Sequence, residues 1–435
     1  MGCSKNQVDS EMMLADLKRV GYGVSSDVSG CSVVIINTCG FINDAKAEAI
    51  ENILEMIELK KEGRIKKIIV TGCLSQRYMS DIEIELPEVD AFLGTGSYHD
   101  IAAAVDKVLN DEKYKGFDDV ICHDTNGERV LSTPPYTAYL KIAEGCSNNC
   151  SYCTIPLIRG PFRSRELDSV LKEAQWLADS GVKEINIIAQ DITRYGEDIS
   201  KDGASMLPQL LTILCKTDRI EWIRPLYAYP ERVTDELIDV MATESKIVKY
   251  IDIPVQHADD RVLKLMNRRS TAESLRNLFD KMRKRIPDLQ LRTTVITGFP
   301  GEDEEAFENL CEFVKDLKFE KLGVFAYSKE EDTPAYDFDN QVDEEVASDR
   351  KEILMNIQSE ISLNHTSRFI EKTVRVLAEG YDKYAESYFG RTMYDSPDID
   401  GKVFFTSERA VSPGEFVDVY IDEVLDYDLI GRLTN

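Results

Sequence analysis

The sequence predicts an α/β protein in three parts, and two patterns of apolar residues support this fold class. Strand-like runs alternate with helical patterns in residues 1–110 and again in 136–364, as expected for parallel sheets whose strands are joined by helices. Residues 366–435 instead contain short alternating runs between Gly and Pro turns, which is typical of a small all-β barrel. We therefore expect a small parallel α/β domain, a polar linker over 111–135, a partial (β/α)6 barrel with a trailing helix, and a C-terminal β barrel.

Composition and charge limit the classes to which the chain can belong. No apolar run approaches the roughly 20 residues that span a bilayer, and residues 1–6 lack the apolar core of a secretory signal. We therefore expect a cytoplasmic protein with no membrane contact. The net charge is −27, from 79 acidic and 52 basic residues, which argues against a broad nucleic-acid interface because such interfaces rely on Lys and Arg. The acidic surface either attracts a basic partner or simply keeps the protein in solution.

Two predicted strands of the N-terminal domain end next to cysteines. Residues 33–37 and 68–70 are short apolar runs that predict buried strands, and Cys39 and Cys73 follow them. Because parallel strands place their carboxyl ends on one edge of a sheet, these two cysteines should share that edge. Cys3 precedes a predicted helix and should occupy the equivalent loop. A coincidental grouping is the alternative, since dispersed cysteines carry no spacing signal.

The same arrangement predicts a strand before Cys3, yet only two residues precede it. An apolar segment upstream would complete the pattern of a strand followed by a cysteine. We therefore expect the natural chain to begin several residues before Met1.

The central region predicts six strands with helical patterns between them. Six such units suggest an open or partial barrel, whose chemistry lies on the loops that follow the strands. The candidate strands are residues 138–143, 184–189, 221–228, 248–253, 290–297 and 322–327. A helical stretch at about 343–363 leads into the last domain.

The strongest chemical signal is a CxxxCxxC sequence directly after the first barrel strand, formed by Cys146, Cys150 and Cys153. Thiolates at this spacing can hold three corners of a 4Fe-4S cluster. The fourth iron would then be open to the amino and carboxylate groups of S-adenosylmethionine (SAM). Electron transfer into the sulfonium would release a 5′-deoxyadenosyl radical, which can remove hydrogen from an unactivated carbon. A zinc site with a further ligand from elsewhere is the alternative.

Four other residues are candidate SAM contacts, and we assign no catalytic residue beyond the cluster ligands. Gln190 and Asp191 end the second barrel strand, where they could meet the methionyl end of SAM. Gly298 follows another strand and could let the backbone approach the adenine or ribose, and Tyr152 lies within the cysteine motif. Taken alone, each feature is more typical of a turn or cap. His257 also ends a barrel strand, and it either lines the site or has a structural role.

These features together resemble the methylthiotransferase family of radical SAM enzymes, and the resemblance covers essentially the whole chain. That family has an N-terminal cluster domain, a radical SAM core and a TRAM domain, which is an OB-like barrel. The resemblance implies that Cys3, Cys39 and Cys73 bind an auxiliary 4Fe-4S cluster that handles the inserted sulfur, while the CxxxCxxC cysteines bind the SAM-cleaving cluster. It also implies two SAM molecules per turnover, an electron donor such as flavodoxin or ferredoxin, and a sulfur donor.

Within the family, four stretches resemble the branch that methylthiolates the β-carbon of an aspartate in small-subunit ribosomal protein S12. They are GCSKNQVDSE at 2–11, IAQD at 188–191, IPVQH at 253–257 and GRTMYD at 390–395. The branch that modifies position 2 of a tRNA adenosine differs near residue 190 and at 256–257. The last domain has 8 basic and 14 acidic residues, which suits a basic ribosomal protein better than tRNA. A non-catalytic ribosome-binding protein with purely structural clusters is the alternative from another class.

Overall fold

The N-terminal domain is a four-stranded parallel sheet in the computed structural model, which describes residues 2–28, 30–122 and 127–434. The strands pair in the order in which they occur in the chain, so their carboxyl ends share one edge. The strands are β1 (Val33–Thr38), β2 (Lys67–Gly72), β3 (Ala91–Leu93) and β4 (Tyr114–Gly116). The helices are α1 (Ser4–Arg19), α2 (Asn43–Lys61), α3 (Cys73–Arg77), α4 (Ile82–Glu85) and α5 (Ile101–Leu109).

Alternate side chains of this sheet pack against helices on opposite faces, as the pleat of a strand requires. Ile68 and Val70 pack with α2, whereas Ile69 between them packs with α1 and α5. Strand β4 lies within the segment predicted as a linker, so the N-terminal sheet extends to Gly116. The polar composition of that segment hid the strand because β4 is only three residues long.

The six predicted barrel strands are all present, as two parallel three-stranded sheets that meet at a bridge between Ile223 and Ile247. They are β5 (Thr137–Lys141), β8 (Glu184–Ile188), β9 (Trp222–Pro225), β10 (Tyr250–Asp252), β11 (Gln290–Thr297) and β12 (Lys321–Ala326). A small hairpin of β6 (Ala143–Glu144) and β7 (Arg163–Ser164) flanks the cysteine motif. Strand β9 is shorter than predicted because Tyr227, with φ of +68°, leaves the extended conformation.

Helices follow the barrel strands and cover the outside of the sheet. They are α6 (Ile155–Arg159), α7 (Leu167–Asp179), α8 (Leu207–Leu214), α9 (Asp235–Thr243), α10 (Asp260–Leu265), α11 (Ala272–Arg285), α12 (Glu304–Leu317) and α13 (Glu344–Ser367). Their apolar faces and the strands form the largest hydrophobic core of the molecule. Within the described ranges, no helix is both long enough and apolar enough to cross a membrane.

The C-terminal domain is a closed five-stranded barrel in the order β13–β14–β15–β17–β16, as predicted. Its strands are β13 (Thr373–Asp382), β14 (Ser387–Thr392), β15 (Val403–Thr406), β16 (Phe416–Val424) and β17 (Leu429–Leu433). Inward residues such as Val376, Val403 and Val419 fill its core.

A buried carboxylate attaches this barrel to the central domain. Glu184 of β8 is fully buried and accepts hydrogen bonds from Arg224 Nη2 at 2.9 Å and from Arg391 Nη2 at 2.7 Å. Arg224 also donates to the carbonyl oxygen of Met393 at 3.0 Å. Burial alone would raise the pKa of Glu184, but the two guanidinium groups outweigh it and lower the pKa to about 2. The carboxylate is therefore ionised and holds two arginines from different domains.

We predict that Glu184→Gln lowers the free energy of unfolding by about 3–5 kcal/mol, because two buried arginines lose their counter-charge. The folded pKa lies below the ordinary value of 4.5, so this stabilisation is complete above about pH 4.5 and disappears as the pH falls toward 2. Thermal melts at pH 7 and at pH 3 should show a smaller difference between wild type and variant at the lower pH.

The matched control is Glu221→Gln, which breaks an exposed pair with Arg375 across the same interface, 3.1 Å in length. Exposed pairs contribute about 0–1 kcal/mol. If the melting temperature of Glu184→Gln falls no further than that of this control, Glu184 does not hold the two domains together.

Candidate active site

All six cysteines predicted as cluster ligands line one cavity. The cavity has a volume of about 340 Å³ and lies between the carboxyl edge of the N-terminal sheet and the strand ends of the barrel. The cysteines are Cys3, Cys39 and Cys73 from the N-terminal domain and Cys146, Cys150 and Cys153 from the barrel. The structure therefore brings the dispersed set together and places it opposite the CxxxCxxC set.

The N-terminal set converges because each member lies at the carboxyl edge of the sheet. Cys3 caps the start of α1, Cys39 directly follows β1, and Cys73 is the first residue of α3 after β2. Between β2 and α3, Gly72 has φ of +100°, and a Cβ atom there would lie 2.6 Å from the carbonyl oxygen of Thr38. Glycine thus allows the ends of β1 and β2 to approach each other closely.

Two of the three N-terminal thiols are sheltered from solvent: Cys73 is buried and Cys39 is half-buried, whereas Cys3 is exposed. Burial raises the pKa of Cys73 to about 12, and it also raises the pKa of Cys39. Arg159 opposes this effect at Cys73, since its Nη2 atom lies 3.4 Å from Sγ. A buried thiol of raised pKa stays protonated until a metal ion displaces the proton. These thiols are therefore better suited to binding metal than to acting as free nucleophiles.

The CxxxCxxC loop is a tight, internally bonded turn. The backbone N–H of Cys153 donates to the carbonyl oxygen of Cys150 at 3.1 Å. Gly145, just before the motif, has φ of +77°, and a Cβ atom there would lie 2.2 Å from the carbonyl oxygen of Pro161. Burial raises the pKa of Cys146 to about 11 and raises that of Cys153 further. The loop thus presents sheltered thiols in a fixed conformation.

The sulfur atoms of each cysteine set lie farther apart than the ligands of a single metal ion. Thiolates around a single zinc ion lie about 3.8 Å apart, given a Zn–S distance of about 2.3 Å and tetrahedral geometry. Among the described residues, neither cysteine set brings three sulfur atoms within 4.8 Å of one another; the group that meets this limit is His99, Asp100 and Asp118. Three thiolates per set are also the usual donors to iron–sulfur clusters. The assignment of the cysteines to iron–sulfur clusters rather than to zinc stays a prediction.

A buried group of four charged side chains, the interdomain ion cluster, lies behind the cavity. Lys141 donates to Asp9 at 2.5 Å and to Glu144 at 2.8 Å, and Arg159 donates to the same two carboxylates at 2.6 and 3.3 Å. No member is more than 2% exposed. Two cations balance two anions, as burial of charge requires. Asp9 belongs to α1 of the N-terminal domain, whereas Lys141, Glu144 and Arg159 belong to the central barrel. The cluster therefore fixes the two cysteine sets relative to each other.

Two of the four predicted SAM contacts line the cavity, namely Tyr152 and Gln190. Asp191 lies behind the wall, only 1% exposed, and accepts a hydrogen bond from Asn148 Nδ2 at 2.8 Å. Since Asn148 does line the cavity, Asp191 orients a wall residue. Direct contact of these side chains with SAM stays a prediction.

Two other residues predicted near the site have structural surroundings. Gly298 is not among the described residues that line the cavity, and a Cβ atom there would lie 2.2 Å from Cβ of Ala347 on α13. Close helix packing therefore explains this glycine. His257 is fully buried: its Nε2 atom lies 3.0 Å from Glu302 and its Nδ1 atom accepts from the backbone N–H of Asp259 at 2.9 Å. Its surroundings favour the structural alternative.

Several wall residues escaped the sequence interpretation. Tyr227 and Gln256 follow β9 and β10 with left-handed φ values of +68° and +72°, a conformation that clusters at functional sites. Arg268 lies over the ring of Tyr229, 4.0 Å from its centroid. Lys5 lines the cavity with only 7% of its surface exposed. For Lys5 the sequence offered one signal, because a lysine in the first turn of a helix opposes the helix dipole and is therefore unusual there.

Models of three families match consecutive parts of the chain. The model described as Uncharacterized protein family UPF0004 matches residues 1–94, the Radical SAM superfamily model matches 140–314, and the TRAM domain model matches 370–434. Among solved structures, the radical S-adenosylmethionine methyltransferase TsrM from Kitasatospora setae is similar with a TM-score of 0.55 and 13% identity, over 74% of this chain and 70% of that chain. At this identity the similarity shows the fold alone.

Three relatives, each named ribosomal protein uS12 methylthiotransferase RimO, are similar over nearly the full length. The protein of Lachnoclostridium phytofermentans is 49% identical over 99% of this chain and 98% of its own. That of Clostridioides difficile is 47% identical over 99% and 97%, and that of Geobacter sulfurreducens is 47% identical over 100% and 97%. The chain therefore belongs to the RimO family of radical SAM methylthiotransferases.

Proposed function

We propose that the enzyme transfers a methylthio group to the β-carbon of an aspartate in small-subunit ribosomal protein S12 (uS12), either as the free protein or within the small subunit. The observation that carries this proposal is that both cysteine sets open on one cavity. Methylthio insertion needs a radical source and a sulfur source within reach of the same carbon atom, and this arrangement meets that need. The full-length similarity to relatives named for uS12 supports the choice of substrate.

Membership of the radical SAM superfamily implies a 4Fe-4S cluster and SAM. We assign that cluster to the CxxxCxxC cysteines and propose that Cys3, Cys39 and Cys73 hold a second 4Fe-4S cluster. When bound, the first supplies the electron that cleaves SAM and the second holds the sulfur to be inserted. Each set of three thiolates would leave one iron open to an external ligand. We further propose flavodoxin or ferredoxin as the type of electron donor, and a separate sulfur donor.

The chain's own residues hold, orient and shelter these groups. Arg159 donates to the Cys73 sulfur atom at 3.4 Å, which favours the thiolate that metal binding requires. We propose that Tyr152 and Gln190, which line the cavity from the barrel side, contact SAM. Arg268 has a buried Nε atom without a hydrogen-bond partner in the described structure, so it retains a donor for the methionyl carboxylate of SAM.

The charge of the C-terminal barrel supports a protein substrate over tRNA. Residues 366–435 carry a net charge of −6, and an acidic surface repels phosphates but attracts a basic ribosomal protein. A non-catalytic ribosome-binding protein is disfavoured because family membership makes the chain a radical SAM enzyme.

We predict about eight iron atoms per chain after anaerobic reconstitution, and about four when either cysteine set is changed to Ala. The variant that lacks Cys3, Cys39 and Cys73 should still form 5′-deoxyadenosine but no methylthiolated product. The variant that lacks the CxxxCxxC cysteines should form neither. Iron analysis and chromatography of the SAM products measure these outcomes.

The control for these variants is Cys215→Ala combined with Cys311→Ala, because both residues are partly buried and lie outside the cavity. It should keep the full iron content. If the wild type binds only about four irons, or if both sets must be removed before any iron is lost, the two-cluster assignment is wrong.

The substrate assignment predicts that the reconstituted enzyme adds the mass of SCH3 in place of H to one aspartate of purified uS12. A parallel reaction with tRNA should yield no methylthioadenosine, because the acidic C-terminal barrel repels the phosphate backbone. Mass spectrometry of the digested uS12 and of the digested tRNA distinguishes the two. Modification of tRNA alone would contradict the proposal.

A further inference from the structure

Lys5 is a buried cation that lines the cavity and has no carboxylate in direct contact among the described residues. Its Nζ atom lies 3.0 Å from the centroid of the Tyr227 ring, and only 7% of the residue is exposed. No carboxylate oxygen of the described residues lies within 4.0 Å of Nζ. The carboxylate of Asp252 interacts with Lys5 from farther away, but it is bound by Arg292 at 3.0 Å. The aromatic ring offsets part of the cost of burying this charge. The rest of that cost requires an anion.

The position of Lys5 in helix α1 also favours an anion-binding site. It is the second residue of α1, a helix of 16 residues with no acidic residue in its first turn. A helix N-terminus carries partial positive charge and free N–H groups, so a cation there is locally unfavourable and an anion is stabilised. The combination of Lys5 and the start of α1 therefore forms a site for an anion rather than a typical helix start.

The other two cations of the cavity wall already have partners. Arg159 is bound by Asp9 and Glu144 of the interdomain ion cluster. Arg268 donates from Nη2 to the carbonyl oxygen of Pro254 at 2.6 Å. No aspartate or glutamate is among the described residues that line the cavity. Among the described cations of the wall, Lys5 is thus the one that makes neither an ion pair nor a hydrogen bond.

We propose that Lys5 binds the side-chain carboxylate of the substrate aspartate, an inference that rests on the proposed function. Lys5 belongs to the N-terminal domain and Tyr227 to the barrel, so a carboxylate bound at Lys5 would lie in the cavity that both cysteine sets line. In an aspartate, the β-carbon is bonded directly to the carboxylate carbon. Holding the carboxylate therefore fixes the atom that reacts. Adenosine has no carboxylate, so the same contact discriminates against a nucleoside substrate.

A second source of carboxylate is the methionyl group of SAM, and Arg268 is better placed to bind it. Arg268 comes from the barrel, where it lies over the ring of Tyr229 and lines the cavity together with the CxxxCxxC cysteines. Its Nε donor has no partner in the described structure. Lys5 instead follows Cys3 by two residues, on the opposite wall. The experiment below separates the two sources.

The test is a double-mutant cycle between Lys5→Met in the enzyme and Asp→Asn at the modified position of uS12. Methionine keeps the length of the side chain and removes its charge. We expect Lys5→Met to raise the Kd for uS12 by about 10- to 100-fold. Asn in uS12 should weaken binding to wild type similarly and should have little further effect on the variant. Lys5→Arg, which keeps the charge, should recover part of the affinity.

Three further measurements complete the design. The Kd for SAM and the yield of 5′-deoxyadenosine should stay within about twofold of wild type, because Arg268 serves the methionyl carboxylate. Methylthiolation of uS12 by the variant should fall with the loss of affinity. Lys18→Met, at an exposed lysine near the end of the same helix, should change none of these quantities.

Three different results would contradict the inference, and each identifies what is wrong. Additive effects in the cycle, with methylthiolation intact in Lys5→Met, overturn the role of Lys5 and leave the proposed function standing. Loss of SAM affinity and of 5′-deoxyadenosine in Lys5→Met assigns the lysine to SAM instead. A wild-type enzyme that modifies tRNA adenosine but not uS12 overturns both the proposed function and the carboxylate site.

Discussion

Two carboxylates and two cations, buried together where α1 meets the barrel, define the geometry of this enzyme. Asp9 comes from one domain, and Lys141, Glu144 and Arg159 come from the other. Removing any one of them would leave a buried charge unbalanced, at a cost of about 3–5 kcal/mol. The cluster therefore stabilises the packing of α1 against the central domain, and residues of both domains line the cavity that contains the two cysteine sets. Arg159 extends the constraint to the Cys73 sulfur atom itself.

The C-terminal barrel is attached by the same physical means. Glu184 is buried and ionised, and it binds Arg224 of the central domain and Arg391 of the C-terminal barrel. A fully satisfied buried network thus again determines the position of a domain. The consequence for function is that the acidic C-terminal barrel is attached to the central domain, which also forms one side of the cavity. A basic substrate protein would meet an attractive surface there.

The charge of the cavity is opposite to that of the molecule. The chain carries −27 overall, yet the described wall residues of the cavity include three cations and no carboxylate. Such a site concentrates anionic groups, since a small enclosed region of one sign focuses the field. The proposed clusters with thiolate ligands, the carboxylate of SAM and the carboxylate of a substrate aspartate would all be anionic partners for these cations. Lys5 differs from the other two because, among the described residues, it makes neither an ion pair nor a hydrogen bond.

The sequence by itself determined the features that depend on local spacing. The period of apolar residues predicted six barrel strands, and the CxxxCxxC spacing identified one cysteine set, because both patterns are set by neighbouring residues. The tertiary structure decided what depends on how domains meet. Lys5 and Tyr227 are far apart in sequence, as are Arg159 and Cys73, so no local pattern shows that they touch. The grouping of Cys3, Cys39 and Cys73 depended on both. The sheet topology predicted from the sequence implied a shared edge, and in the structure Gly72 allows the strand ends at that edge to approach closely.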